Sequence, residues 1–201
     1  MKSLLEVDHR IKPTKDLLDE PVIIRVTEFT EESAEDFADD ISLAHRTGQP
    51  VIPVIIDSYG GYVYSLLSMI ADIQNSKLPV ATIAVGKAMS CGSILLSCGN
   101  EGYRFIDKNA TVMVHDVSSM AWGKNEELKA SVKQTDRLNK QVFGLMAKNC
   151  GQDKDYFLKI IHDKSHAEWY LSPAEAKKHN LVNEIRVPDL MTRISVEMEL
   201  L

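Results

Sequence analysis

The sequence predicts an α/β fold: a mostly parallel sheet covered by helices, with one long helix projecting from it. Two nearly unbroken apolar runs, Val51 to Ile56 and Val80 to Val85, are rich in β-branched residues. That is the pattern of strands buried on both faces of a parallel sheet. Between them Val63, Leu66, Leu67, Ile70 and Ile73 recur at helical spacing and supply the crossover of a βαβ unit. From Lys124 to Lys148 the positions Leu128, Val132, Thr135, Leu138, Val142 and Leu145 fit a helix of about 25 residues, longer than most globular helices. Such a helix is expected to project and meet a partner subunit.

At 201 residues, against roughly 150 per domain, the chain is expected to form one domain over 21–201, preceded by a polar N-terminal arm over 1–20. Pro21 to Val26 reads as a short strand. Thr30 then caps a helix whose first turn holds Glu31 and Glu32, favourable at the positive end of the dipole. Ala34, Phe37, Ala38 and Ile41 form its apolar face, which leaves Glu31, Glu32, Glu35, Asp36, Asp39 and Asp40 on the solvated face. After the second long strand, Ile94-Leu95-Leu96 forms a short helix ended by Gly99. Tyr103 to Ile106 and Thr111 to His115 read as strands around a turn at Asp107-Lys108-Asn109. Ser172-Pro173-Ala174-Glu175 is a capping box with Pro at the first helical position. Asn180 is the left-handed stop before a strand from Leu181 to Val187.

Composition excludes several classes of function. With 44% hydrophobic and 26% charged residues the chain can bury a sizeable core. A net charge of −6 with scattered lysines argues against nucleic acid or an anionic membrane as partner. Neither a secretory h-region nor an 18-residue apolar stretch is present. Three cysteines, Cys91, Cys98 and Cys150, without CxxC spacing suit a reducing compartment, so the expected location is cytoplasmic. No cofactor or metal is expected. Gly86-Lys87 lacks the rest of a P-loop, and His162 and His166 lack the intervening glutamate of a zinc-protease helix.

In open α/β sheets ligands bind beyond the carboxyl ends of the strands. The residues there are Gly60-Gly61, Ser90-Cys91 and His115. Ser90 stands at a helix N-terminus, where backbone N–H groups and the dipole stabilise an oxyanion formed when its hydroxyl attacks a carbonyl. The alternative role for Ser90 is a plain N-cap. Among six histidines, His9, His45, His162, His166 and His179 fall on expected helix faces or the arm. His115 alone ends a buried strand, as a base or as a satisfied core histidine.

The motifs Asp57-Ser58-Tyr59-Gly60-Gly61, Gly86-Lys87-Ala88-Met89-Ser90-Cys91-Gly92, Gly102-Tyr103-Arg104-Phe105 and Asn109-Ala110-Thr111-Val112-Met113-Val114-His115 resemble the Clp protease proteolytic subunit (ClpP) family. Tyr170-Leu171-Ser172-Pro173-Ala174-Glu175-Ala176 and Asn180-Leu181-Val182 extend the likeness, which covers about 21–187. The resemblance implies a ClpP/crotonase-like spiral of βα units with a projecting handle over about 116–150. It implies a serine endopeptidase with Ser90 as nucleophile, His115 as general base and the backbone N–H groups of Gly61 and Cys91 as oxyanion hole. It further implies stacked heptameric rings that enclose the sites, peptides or unfolded proteins as substrates, and an AAA+ unfoldase as partner.

Several positions depart from the family pattern and mark a divergent, phage-type member. The triad's aspartate aligns with Glu168, with Asp163 and Asp116 as rival acids. Asp163 is expected in a loop, and Asp116 on the far side of its strand. Tyr59 replaces a proline, and Ser118, Ser119 and Met120 replace glycines that line the substrate strand in the family. Pro53, Ile55 and Asn75 stand at the family's unfoldase-docking positions, where Phe105 is kept. Two other functions fit less well: a catalytically silent ring subunit, and a crotonase-like acyl-CoA enzyme with the same paired-amide hole.

Overall fold

A computed structural model describes residues 20–118 and 122–190. Along them run β1 (Ile24–Val26), α1 (Glu31–Ala44), β2 (Ile52–Ser58), α2 (Val63–Asn75), β3 (Val80–Met89), α3 (Cys91–Leu96), β4 (Arg104–Ile106) and β5 (Thr111–Val114). Then come α4 (Asn125–Asn149), α5 (Tyr156–Asp163), β6 (Trp169–Leu171), α6 (Pro173–Lys178) and β7 (Glu184–Ile185). The predicted arm lies almost wholly outside the described residues.

Strands β1, β2, β3, β4 and β7 lie side by side in that order, all parallel. Strand β3 runs four residues beyond its expected end because it changes partner along its length. Thr82–Ala84 pairs with β4, whereas Lys87–Met89 pairs with β5, which in turn pairs antiparallel with β6. This fork carries the end of β5 alongside the β3–α3 junction, where the Ser90 N–H donates to the Met113 carbonyl at 2.8 Å. Two residues distant in sequence, Ser90 and His115, are thereby brought to one edge.

The helices form for local reasons. Thr30 Oγ1 accepts from the Ser33 N–H and Ser33 Oγ from the Thr30 N–H, a closed capping box at α1. The Ser172–Glu175 box caps α6 as expected, and Asn180 takes φ +58 at its exit. One core runs from Phe29, Phe37 and Leu66 through Ile56 and Leu95 to Phe143, Phe157 and Trp169, all buried. The other sheet face is more thinly covered than two fully buried faces would require. There Ala81, Ile83 and Phe105 cluster with half-buried Val51, Ile55 and Val85.

Other boundaries differ from the sequence reading as well. Asp163 ends helix α5 rather than sitting in a loop, because Phe157 and Ile161, four apart, both bury against the core. The expected Leu181–Val187 strand contracts to Glu184–Ile185, since Leu181 and Val182 are core side chains and the Asn183 N–H donates to the Arg104 carbonyl instead. His115 lies one residue past β5.

Among the described residues Arg104 is the largest fully buried side chain. Its guanidinium donates to the Asn149 carbonyl at 2.7 Å, to Asn183 Oδ1 at 3.2 Å and to Glu101 at 2.9 Å. It thus ties β4 to the end of α4 and to the approach to β7. Arg104→Ala removes a buried side chain and the donor to the Asn149 carbonyl and Asn183 Oδ1, while the largely exposed Glu101 returns to water, and is expected to cost about 2 kcal/mol, read as a lower midpoint in denaturant unfolding.

Helix α4 buries Leu138, Val142, Phe143, Met146 and Ala147, all in its second half. Leu128 is 37% and Val132 62% exposed. The first half therefore presents the apolar positions of its periodic face to solvent.

Candidate active site

Ser90 joins β3 directly to α3, and the turn is sharp. The residue takes φ 54, ψ −120, a conformation that costs a non-glycine residue about 1–3 kcal/mol. Its hydroxyl makes no cap bond, so the plain N-cap role is not the one adopted. Ser90 Oγ stands 2.8 Å from His115 Nε2. For the serine to donate, the imidazole must carry its proton on Nδ1. That Nδ1 has no hydrogen-bond partner among the described residues.

Gly60 and Gly61 pass close above this turn. A Cβ on Gly60 would stand 2.7 Å from Ser90 Cβ and 3.1 Å from Ser90 Oγ. Gly61 bridges to Phe29, and its own Cβ would meet the Phe29 carbonyl oxygen at 2.5 Å. Both take positive φ, +114 and +152. Ser58 Oγ accepts the Gly60 N–H at 3.0 Å, and the Phe29 carbonyl accepts that of Tyr62 at 2.7 Å. Among the described residues the N–H groups of Gly61 and Cys91 donate to no backbone carbonyl. They flank a small cavity of about 40 Å³ lined also by Ser90, His115, Ser118 and Phe143.

Cys91 turns its thiol away, donating to the Gly61 carbonyl at 3.3 Å. Burial pushes that thiol up to about 11, and those of Cys98 and Cys150 up to about 12. All three are protonated, weakly nucleophilic groups at neutral pH.

Glu168, Asp163 and Asp116 are placed differently from one another. Asp116 is bonded to His166 Nδ1, whose ring lies 4.4 Å from that of His162. Asp163 ends α5 in solvent. Glu168 accepts a hydrogen bond from the Tyr170 hydroxyl at 2.7 Å. None of the three reaches His115. Of the expected substrate-strand residues Ser118 lines the cavity, while Ser119 and Met120 lie outside the described residues.

Three neighbours make contacts that the sequence reading did not foresee. Asn139, from α4, accepts the Val117 N–H at 2.7 Å and holds the segment after His115. Its polar character at a helical position gave no signal of that role. Tyr59, exposed beside the glycines, lies under the Lys87 ammonium at 4.4 Å, and Lys87 pairs with Asp57 at 2.7 Å. Tyr170 was visible only as part of a motif. A larger cavity, about 710 Å³, runs along the outer side of α4 past Arg137, Lys140, Lys148 and Lys154, and contains none of these groups.

The family model described as Clp protease matches residues 6–189. The chain belongs to the Clp protease family. The match starts within the predicted arm and continues past β7, so every element described above falls inside it. The parallel sheet with its helices is the fold of that family, and a protease is its family-level function. No helix among the described residues is long and apolar enough to cross a membrane.

Proposed function

We propose that this Clp protease family member is a serine endopeptidase with Ser90 as nucleophile and His115 as general base. The observation that carries the reading is the 2.8 Å contact from Ser90 Oγ to His115 Nε2 at a strained strand-to-helix turn. In acylation, Ser90 Oγ bonds to the scissile carbonyl carbon while His115 Nε2 takes its proton. The carbonyl oxygen, now an anion, accepts from the Gly61 and Cys91 N–H groups. Collapse breaks the C–N bond and His115 returns the proton to the leaving amine. Water then attacks the acyl-Ser90 ester by the reverse proton path and releases the acid. An extended peptide pairs through its main chain with the segment holding Ser118, Ser119 and Met120. Glu168 is the acid that the family pattern assigns to His115, although here its carboxylate is bonded to the Tyr170 hydroxyl instead.

In this reading the subunits close into stacked heptameric rings, which keep the site from folded proteins in the cytoplasm. An AAA+ unfoldase supplies unfolded chains, and its contact is altered where Pro53, Ile55 and Asn75 stand. The half-exposed apolar stripe at Leu128 and Val132 favours a partner for the handle. Replacing both with glutamate is expected to leave the circular dichroism spectrum unchanged and to lower the assembled mass measured by light scattering.

A silent ring subunit has one observation in its favour, the absence of a contact between Glu168 and His115. Hydrolysis of a fluorogenic peptide by wild type and Ser90→Ala, with assembled mass recorded, separates the two. The peptidase reading expects activity that Ser90→Ala abolishes. An assembled, inactive wild type overturns it.

A further inference from the structure

The ladder between β5 and β6 pairs Val112 with Leu171, Met113 with Tyr170 and Val114 with Trp169. One step further, the same antiparallel register sets Glu168 opposite His115. Directly opposed residues share a face of the sheet, and Tyr170, two residues on from Glu168, shares it too. The other nearby acids are removed from contention: Asp116 is held by His166, and Asp163 ends α5 exposed to solvent, with no bond to His115. Glu168 is thus the carboxylate aimed at His115 by the backbone, yet its Oε2 is taken by the Tyr170 hydroxyl. His115 and Tyr170, the two candidate partners of this carboxylate, thus lie on one face of the strand pair.

We propose that Tyr170 is a positioning residue that holds the Glu168 carboxylate off His115, leaving a Ser90–His115 dyad until Glu168 is released to complete a triad. The inference rests on the peptidase reading and names how that site is regulated. Tyr170 is 53% exposed, so its hydroxyl can exchange Glu168 for water when a substrate or partner reaches this edge. The bonded carboxylate keeps the phenol above its usual range, so Tyr170 remains a donor through neutral pH.

The test compares peptide hydrolysis by wild type, Tyr170→Phe, Glu168→Gln, the double variant and Ser90→Ala. Removing one competing hydrogen bond is expected to raise kcat about fivefold, with KM little changed. A carboxylate beside the imidazolium favours its charged, inactive form. The acidic limb of kcat/KM therefore moves to higher pH in Tyr170→Phe. In the Glu168→Gln background the same change does nothing, because there is no carboxylate to release. An unchanged or lowered kcat in Tyr170→Phe, or a gain that persists without Glu168, overturns the latch while leaving the peptidase reading intact. Activity surviving in Ser90→Ala, or none in any variant, overturns the peptidase reading itself and the latch with it.

Discussion

Replacing His115 with alanine is expected to lower kcat for peptide hydrolysis by about 10² to 10⁴, the usual contribution of a general base. The serine hydroxyl is a weak nucleophile without a base, and among the described residues the base bonded to it is the imidazole at 2.8 Å. Because the two act on one proton, Ser90→Ala and the double variant lose nearly the same amount rather than the product of both. On the proposed reading, what remains comes from the Gly61 and Cys91 N–H groups and from substrate binding. Steady-state kinetics on protein of verified assembled mass measure it. A loss below tenfold in His115→Ala would mean that the proton goes elsewhere.

The second large effect is at Gly61. A methyl group there would stand 2.5 Å from the Phe29 carbonyl oxygen and 2.9 Å from Phe29 Cβ, at a φ of +152 that L side chains rarely adopt. Phe29 is buried and cannot retreat, so the strain falls on the Gly61 peptide, and its N–H turns from the position where the oxyanion forms. Gly61→Ala is therefore expected to lower kcat by about 10² to 10³, the usual cost of one lost oxyanion donor. Gly144→Ala is the control. Its new Cβ would meet only the Lys154 side chain, at 3.7 Å and beyond, and activity stays at the wild-type level.

Much of the framework was legible because its causes are local. Apolar periodicity and capping residues mark α1, α2, α4 and α6 wherever they occur, and β-branched runs mark β2 and β3. Helix α5 lacked such marks: Asp155 makes no side-chain cap, and Phe157 and Ile161 become a helical pair only once the core is there to receive them. The fork in β3 depends on which strand arrives beside Lys87–Met89, a tertiary choice that the run Val80 to Val85 does not contain.

The site divides in the same way. Ser90, His115 and the glycine pair were readable because each follows a strand, and strand ends converge on one edge. Glu168 was readable only through the family resemblance, and its partner was not. Whether a flexible carboxylate turns to His115 or to Tyr170 depends on side-chain rotamers across a strand pair. The alternation that puts Glu168 and Tyr170 on one face was present in the sequence, but it marks a shared face and not a bond. Asn139 reaches Val117 from 22 residues away, a contact set by how α4 packs.

Fluorophosphonate labelling followed by peptide mapping tests the assignment of nucleophile and base most directly. The phosphonylating reagent bonds to a serine oxygen only where a base activates it. The expected result is one adduct, on Ser90, absent from Ser90→Ala and strongly slowed in His115→Ala. An adduct at another residue, or none on assembled wild-type protein, would contradict it.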